Sequence, residues 1–201
     1  MPITIQLYGI EELGPEAKAK AIRDHHDINV DEGSEWDDSE KDYWKEKLEE
    51  EGFSNADIAC SGFWVQGDGA SFTCPHIDIL RFLKTGDRWK PEYRLIEVAG
   101  LHLGFMLNGK IERHDSRYVH ENTIDATIEE DVQCDGLLGV RIGNILTDVE
   151  KLLQERAREV SREIWKSLEK EYDYYVTDEA IEETLEAREY KFTEEGERVR
   201  V

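Results

Sequence analysis

The chain has 201 residues and a mass of 23.4 kDa, a length that suits one domain, or at most two, with a buried core. It carries 47 Asp or Glu against 25 Lys or Arg, which gives a formal net charge of −22. Such a surface is repelled by nucleic acid and by anionic lipid, so we expect no direct nucleic-acid binding. Five Trp, eight Tyr and six Phe are too many aromatic residues for a disordered chain.

The N-terminal residues and the cysteines predict the compartment. The run MPITIQLYGI lacks the basic and apolar regions of a signal peptide, and no apolar run is long enough to span a membrane. The three cysteines, Cys60, Cys74 and Cys134, are odd in number and form no CxxC pair. We therefore expect reduced thiols, a cytoplasmic location, no membrane contact, no metal and no other cofactor.

The first third of the chain predicts a strand and two helices. Residues 4–8 alternate as a short strand, and Pro15 opens a helix at a position where its missing N–H costs nothing. Residues 31–51 hold eleven acids against three lysines and predict an amphipathic helix with a very acidic outer face, which ends at Gly52. Its apolar positions, at helical spacing, are Trp36, Tyr43, Trp44 and Leu48.

The middle of the chain predicts strands. β-type runs at 58–65 and 70–74 flank Gln66-Gly67-Asp68-Gly69, which is a strong hairpin signal. Residues 77–83 predict a short helix, and residues 110–128 predict one or two further strands. Alternating apolar residues predict another strand that turns at Asn108-Gly109: Leu101, Leu103, Phe105 and Leu107.

The last third predicts helices. Apolar residues hold a three-four spacing from Ile145 to Leu168 in one long helix, and Thr177 caps a second helix over 180–187. A tail from Tyr190 adds a small strand. Since strands and helices do not alternate regularly, the expected fold is one α+β domain over 1–201: an antiparallel sheet with helices packed on it and a long C-terminal helix.

The run from Ser61 to Phe72, SGFWVQGDGASF, is the most distinctive stretch. One interpretation is a ligand loop in which Gln66, the Asp68 carboxylate and backbone N–H groups face a small molecule. The other is a tight turn, in which Gly supplies positive φ and Asp bonds its own backbone. The loop is not a phosphate loop, because no Lys-Ser/Thr follows and no helix begins there.

The segment HDSRYVH supplies a second candidate site. In a strand, His114, Ser116, Tyr118 and His120 would share one face, and with Asp68 they could form an acid–base or metal site. The spacing matches no recognised zinc pattern, so we predict that His114 and His120 are not a metal pair. We assign no catalytic residue, and an enzymatic role stays open.

Acidic residues also cluster beyond the predicted helix at 31–51. Residues 112–135 hold eight acids against two Arg, and residues 163–189 hold ten acids against three basic residues. Three such blocks exceed what solubility requires, and their self-repulsion destabilises the fold. They indicate either a surface that imitates nucleic-acid phosphates or a plain solvated surface. The candidate partner-binding acids are Asp37, Asp38, Glu46, Glu49, Glu50, Glu129, Glu130 and Asp131.

Three runs resemble a family of small acidic proteins encoded by tailed phages, prophages and related mobile elements: SGFWVQGDGASF at 61–72, HDSRYVHE at 114–121, and EIWKSLEKEYDY at 163–174 with TDEA at 177–180. The resemblance covers most of the chain in the same order. It implies a phage or mobile-element origin and a bacterial host, and it brings no catalytic residue with it.

Origin and charge together favour one function. Phage accessory proteins of this size often disarm host restriction systems, CRISPR complexes or nucleases. We expect an inhibitor that binds a host nucleic-acid-binding protein with a basic groove through an acidic, DNA-mimic surface. The alternative is a small-ligand protein, either nucleotide-binding or a hydrolase, that uses the Gln66–Gly69 turn with Asp68, His114, Tyr118 and His120.

Overall fold

A computed structural model describes residues 6–31, 35–103, 107–114, 117–130 and 136–200. The fold is α+β, with antiparallel strand pairs, packed helices and a long C-terminal helix, as the sequence predicts. The chain divides into two units, Met1–Ser39 with Leu168–Val201 (the first unit) and Glu40–Ser167 (the second unit). Each unit is described by itself below, and the single domain over 1–201 stays a prediction.

The helices are α1 (Pro15–Asp24), α2 (Asp38–Glu50), α3 (Ile79–Lys84), α4 (Arg94–Leu103), α5 (Gly136–Tyr175) and α6 (Asp178–Ala187). The strands are β1 (Phe53–Ser54), β2 (Asp57–Cys60), β3 (Ala70–Asp78), β4 (Leu107–Arg113), β5 (Ile124–Glu130), β6 (Lys191–Phe192) and β7 (Arg198–Val199). Short 3₁₀ helices cover Ile10–Glu12 and Pro91–Tyr93.

The first unit packs α1 and α6 against a small β6–β7 hairpin. Pro15 is the first residue of α1, as predicted, and Tyr8 forms a β-bridge with Phe192. Residues 4 and 5 of the predicted first strand lie outside the described residues. The buried core of this unit is Ile10, Leu13, Ala21, Ile22, Ile181, Leu185 and Phe192. Thr177 caps α6 as predicted, because its hydroxyl accepts a hydrogen bond from the Ala180 N–H at 3.2 Å.

The second unit is built on an antiparallel sheet with the order β1-β3-β4-β5, in which β2 also pairs with β3. Gly52, at φ +98°, follows α2 and turns the chain into β1. The rings of Phe53, Phe72 and Phe82 meet edge to face at centroid distances of 5.6 and 5.7 Å, which anchors the sheet to α3.

Side chains of α5 bind the outer edge of β5. The Gln154 amide accepts a hydrogen bond from the Ala126 N–H at 2.7 Å and donates one to the Ile124 carbonyl at 2.9 Å. The Glu150 carboxylate accepts a third bond, from the Ile128 N–H at 3.0 Å. Backbone groups of a sheet edge that would otherwise be open to another chain are therefore occupied by a helix.

The strand predicted over 101–107 is wrong. Residues 94–103 form α4, whose buried Ile96 and Ala99 follow Tyr93 at three-residue spacing, a helical period. Phe105 lies outside the described residues, and Leu107 begins β4. Gly109 is not a turn residue either, because it pairs inside β4 with Ile77 on one side and Ile128 on the other. A Cβ there would lie 2.8 Å from the Ile79 Cδ1 atom and 3.1 Å from the Ile77 Cβ atom, so glycine lets these side chains pack closely against β4.

The described residues also bear on the membrane and cysteine expectations. No helix in the described ranges combines the length and apolar composition that crossing a bilayer requires. Cys74 forms no disulfide with Cys60, and Cys134 lies outside the described residues. Burial raises the pKa of Cys74 to about 11, and its thiol donates to the Ser54 and His76 carbonyls at 3.3 and 3.1 Å.

Candidate functional site

The loop at 61–69 joins β2 to β3 and is held by its own polar groups. The Ser61 N–H donates to the Gly69 carbonyl at 3.0 Å, and the Asp68 N–H donates to the Val65 carbonyl at 3.0 Å. The Asp68 carboxylate accepts hydrogen bonds from the N–H groups of Trp64 and Val65, both at 2.9 Å. Asp68 therefore shapes the loop, as in the turn interpretation.

Glycines let a second segment approach this loop. Gly67 has φ +101°, as predicted, and a Cβ there would lie 3.0 Å from the Tyr118 ring. A Cβ on Gly69 would lie 2.6 Å from the His120 Cβ and 2.9 Å from the Val119 carbonyl oxygen. Tyr118 and His120 are thus brought against the loop, while Gln66 is exposed to solvent.

The histidines do not share a strand face. β4 ends at Arg113 and β5 begins at Ile124, so His114, Tyr118 and His120 lie on the connection between them, and Ser116 lies outside the described residues. The expected alternation is wrong here because the β4–β5 pairing ends at Arg113 and Ile124.

Each histidine has a partner nearby in the chain or sheet. The His114 Nδ1 atom lies 3.0 Å from the Asp125 carboxylate, and the His120 Nδ1 atom accepts a hydrogen bond from the Asn122 N–H at 3.1 Å. Within the described ranges, no group of three or more His, Cys, Asp or Glu side chains could hold a metal ion. In the described part of the chain, Asp68 bonds the backbone of its own loop, and His114 and His120 have other partners than Asp68.

The acidic face predicted on α2 is present but contains lysines. Trp44 and Leu48 are buried on its inner side, and Asp38, Glu46, Glu49 and Glu50 are exposed, whereas Asp37 is half-buried. The Lys45 ammonium pairs with Asp42 at 3.0 Å, and the Lys47 ammonium lies 4.6 Å from the Tyr43 ring centroid. The Ser54 hydroxyl donates to Glu49 at 3.1 Å. Glu46 and Glu50 are exposed and form no ion pair with the described residues.

The candidate acids on β5 are partly neutralised. The Lys110 ammonium lies 3.0 Å from the carboxylates of both Glu129 and Glu112. The hydrogen bond to Glu129, with that to Glu112, raises the pKa of Lys110. Glu130 is the last residue of β5, and Asp131 lies outside the described residues.

Helix α6 presents an acidic face whose residues are not among the candidate partner-binding acids named from the sequence. It contains five acids and no basic residue in ten positions, and its inner side buries Ala180, Ile181 and Leu185. Glu182 pairs with Lys18 at 2.5 Å. The other four carboxylates are exposed and form no ion pair with the described residues: Asp178, Glu179, Glu183 and Glu186. The signal that could have found them is the apolar spacing of 180, 181 and 185, which leaves the acids on the opposite side.

The two units share the net charge unequally. The first unit spans 73 residues and contains 22 acidic residues against eight basic ones, a net charge of −14, whereas the second unit has 25 against 17, a net of −8. The acidic character is therefore concentrated in the first unit, where α6 lies.

One acid of the predicted outer face is turned inward. The Glu51 carboxylate lies 2.5 Å from Arg88 and 2.6 Å from Arg156, and all three side chains are more than four-fifths buried. Burial raises the pKa of Glu51, but hydrogen bonds and attraction from Arg156 and then Arg88 outweigh it, so the net pKa is lowered. Arg156 also pairs with Glu159 at 2.8 Å. This cluster connects the end of α2, the loop that follows α3, and α5, so it stabilises the second unit.

The comparisons with known proteins concern the middle of the chain. The profile of one family, described as a domain of unknown function (DUF8835), matches residues 36–178. No curated protein and no solved structure matches the chain.

Proposed function

The chain belongs to this family of unknown function, DUF8835, and from its own surface we propose that it is a phage- or mobile-element-encoded inhibitor. It binds the basic nucleic-acid-binding surface of a host defence or DNA-processing protein. The observation that supports this proposal most is the α6 face. Its exposed carboxylates form no ion pair with any residue that the structure describes, and the inner side of the helix is buried.

The spacing of the α6 acids suits a surface that normally receives phosphates. Glu179, Glu183 and Glu186 follow one another by four and three residues, which is about 6 and 4.5 Å along a helix axis. Phosphates of one DNA strand recur about every 3.4 Å along the duplex axis. The α6 helix therefore presents a line of negative charges that are more widely spaced than DNA phosphates. Several Lys or Arg side chains of one groove can pair with them.

The energetic cost of this clustered charge is the physical argument for a role. Like charges on one face repel each other and lower the stability of the fold. A basic partner removes that repulsion when it binds, and charge complementarity accelerates association and selects the partner. A plain solvated surface would gain nothing from three unpaired carboxylates on successive turns of one helix.

The test compares two variants that carry the same net charge. In the first, Glu179→Gln, Glu183→Gln and Glu186→Gln neutralise the α6 face while keeping side-chain size. In the matched control, Asp57→Asn, Glu92→Gln and Glu155→Gln neutralise three exposed acids of the second unit. Each protein is immobilised and exposed to nuclease-treated lysate of a bacterial host, and bound proteins are identified by mass spectrometry.

The proposal expects the unmodified protein and the control to retain the same nucleic-acid-binding proteins, which short duplex DNA then releases. The α6 variant should lose them. Equal capture by all three proteins, or capture that DNA does not compete, would contradict the proposal.

A further inference from the structure

Three arginines of the first unit converge on one pocket. Arg23 in the last turn of α1, Arg188 directly after α6 and Arg198 of β7 line a pocket of about 300 Å³, together with His25 and His26. Arg23 lies more than 150 residues before Arg188 and Arg198 in the sequence, so only the fold brings it to them.

The wall of the pocket is held in place by contacts of its own. The His25 Nδ1 atom lies 2.8 Å from the Ala21 carbonyl oxygen, and its ring meets Tyr190 and Phe192 edge to face at 5.9 Å. The Arg198 guanidinium carbon lies 3.6 Å from the Tyr190 ring centroid. Stacking of this kind orients a guanidinium without using its N–H donors.

These arginines form no ion pair with the described residues, although their unit is rich in acids. Lys18 and Lys20 of the same unit each pair with a glutamate, at 2.5 and 3.1 Å. Among the described residues, by contrast, no carboxylate forms an ion pair with Arg23, Arg188 or Arg198. Asp24, Asp27 and Asp31 also line this pocket, but none of them forms an ion pair with Arg23, Arg188 or Arg198. The guanidinium donors of the three arginines are therefore available to a ligand.

We propose that this pocket binds the phosphate group of a small molecule. A guanidinium presents N–H donors in a planar fork that matches phosphate oxygens in pairs, which an ammonium cannot do. Asp24, which forms no ion pair with the described residues, lines the same pocket and offers acceptors to hydroxyl or amino groups of that molecule. His26, held by Asp27 at 2.8 Å, adds a further polar group.

The size and charge of the site favour a small ligand over a macromolecule. A volume of about 300 Å³ is at the lower end of the range for small-molecule pockets. The surrounding unit, at −14, repels an extended polyanion such as nucleic acid or an acidic protein surface. A single phosphate group forms direct hydrogen bonds with the three arginines at short range. These bonds outweigh the repulsion from the surrounding acids, which salt screens within about 8 Å. The inference is independent of the proposed inhibitor role.

Isothermal titration of the full chain tests the site with three probes: inorganic phosphate, pyrophosphate and adenosine monophosphate, at about 0.15 M salt. The test variant is Arg23→Gln with Arg188→Gln, which leaves the Arg198–Tyr190 stack intact. The matched control is Lys191→Gln with Arg200→Gln, which removes the same charge from exposed positions of the same unit outside the pocket. A third variant, Arg23→Lys with Arg188→Lys, keeps the positive charge but removes the paired N–H donors of the guanidinium groups.

We expect at least one probe to bind the unmodified protein and the control with equal affinity, and the Gln variant to lose at least tenfold. The Lys variant should also lose affinity, because charge alone does not restore paired hydrogen bonds. Tighter binding of adenosine monophosphate than of phosphate would identify a nucleoside phosphate, and equal binding would identify free phosphate. No binding of any probe at millimolar concentration, or equal affinity in the Gln variant and the control, would overturn the proposal.

Discussion

Gly69 shows how a residue without a side chain positions two distant segments. Its backbone closes the β2–β3 connection, and its missing Cβ leaves room for the main chain at 119–120. Trp64 and Val65 of the same loop are 71% and 69% exposed. The shape of the conspicuous SGFWVQGDGASF run is therefore determined by close packing and by the Asp68 carboxylate.

We expect Gly69→Ala to lower the free energy of unfolding by about 1–3 kcal/mol, because a new methyl group overlaps main-chain atoms that cannot rotate away. Gly14→Ala is the control, since a Cβ at that position has no atom within 4 Å. Denaturant unfolding of both variants measures the difference. Equal stability of the two variants would show that the 117–123 segment does not rest on Gly69.

Glu51 makes a pH-dependent contribution to stability. Its pKa in the folded chain lies below the ordinary value of 4.5, so its stabilising effect is complete above that value and is lost as the pH falls through the folded pKa. We expect Glu51→Gln to cost about 2 kcal/mol at neutral pH, because Arg88 and Arg156 lose a shared, mostly buried carboxylate.

The measurement for Glu51 is the free energy of unfolding of both proteins between pH 3 and pH 7. The difference between them should be constant at the upper end and shrink below about pH 4.5. Glu159→Gln is the control, since that carboxylate is 56% exposed and should cost well under 1 kcal/mol. A difference between the unmodified protein and Glu51→Gln that does not change with pH would refute this role.

At the scale of elements, the protected edge of β5 depends on a side chain of α5. The Gln154 amide binds one N–H and one carbonyl of the strand, as a neighbouring strand would. We expect Gln154→Leu, which keeps the size, to destabilise by about 2 kcal/mol because two backbone groups lose their partners. Increased aggregation should accompany the loss, since the edge becomes available to other chains.

Thermal unfolding and light scattering of Gln154→Leu measure both effects. Lys151→Leu is the control, because Lys151 is 69% exposed on the same helix and its pairing with Asp148 is long, at 3.7 Å. If the two variants match in stability and solubility, the amide does not protect the edge.

The elements differ in how well the sequence predicts them. Pro15, Gly52 and Thr177 mark helix ends through local chemistry, and each was predicted correctly. The apolar residues at 101–107 alternate like a strand although a helix covers 94–103, because a short apolar run satisfies both periods near an element boundary. Local pattern also missed that β4 and β5 stop pairing before His114, since register depends on the partner strand.

Sites formed by distant segments were the hardest to predict. The acids of α6 follow from the sequence once the apolar spacing is used, because a helix fixes which residues face outward. Nothing local relates Arg23 to Arg188 and Arg198, or Gly69 to His120, since these pairs meet only in the folded chain. The inward orientation of Glu51 likewise depends on Arg88 and Arg156, far along the sequence.

At the scale of the whole molecule, a net charge of −22 is the property that a function has to explain. The first unit carries most of this charge, a net of −14 on 73 residues. Binding through such charge is screened by salt within about 8 Å at physiological ionic strength. An inhibitor that imitates phosphates should therefore bind its partner with a steep salt dependence.

The most direct measurement is the dissociation constant of the captured partner for the unmodified protein and for a series of variants. The variants carry one, two and three of the substitutions Glu179→Gln, Glu183→Gln and Glu186→Gln. Each constant is measured at several salt concentrations and with competing duplex DNA. The account predicts that each neutralised carboxylate weakens binding and flattens the salt dependence, and that DNA and the protein exclude each other from the partner. Binding that is unchanged in the triple variant, or a complex that holds the protein and DNA together, would contradict it.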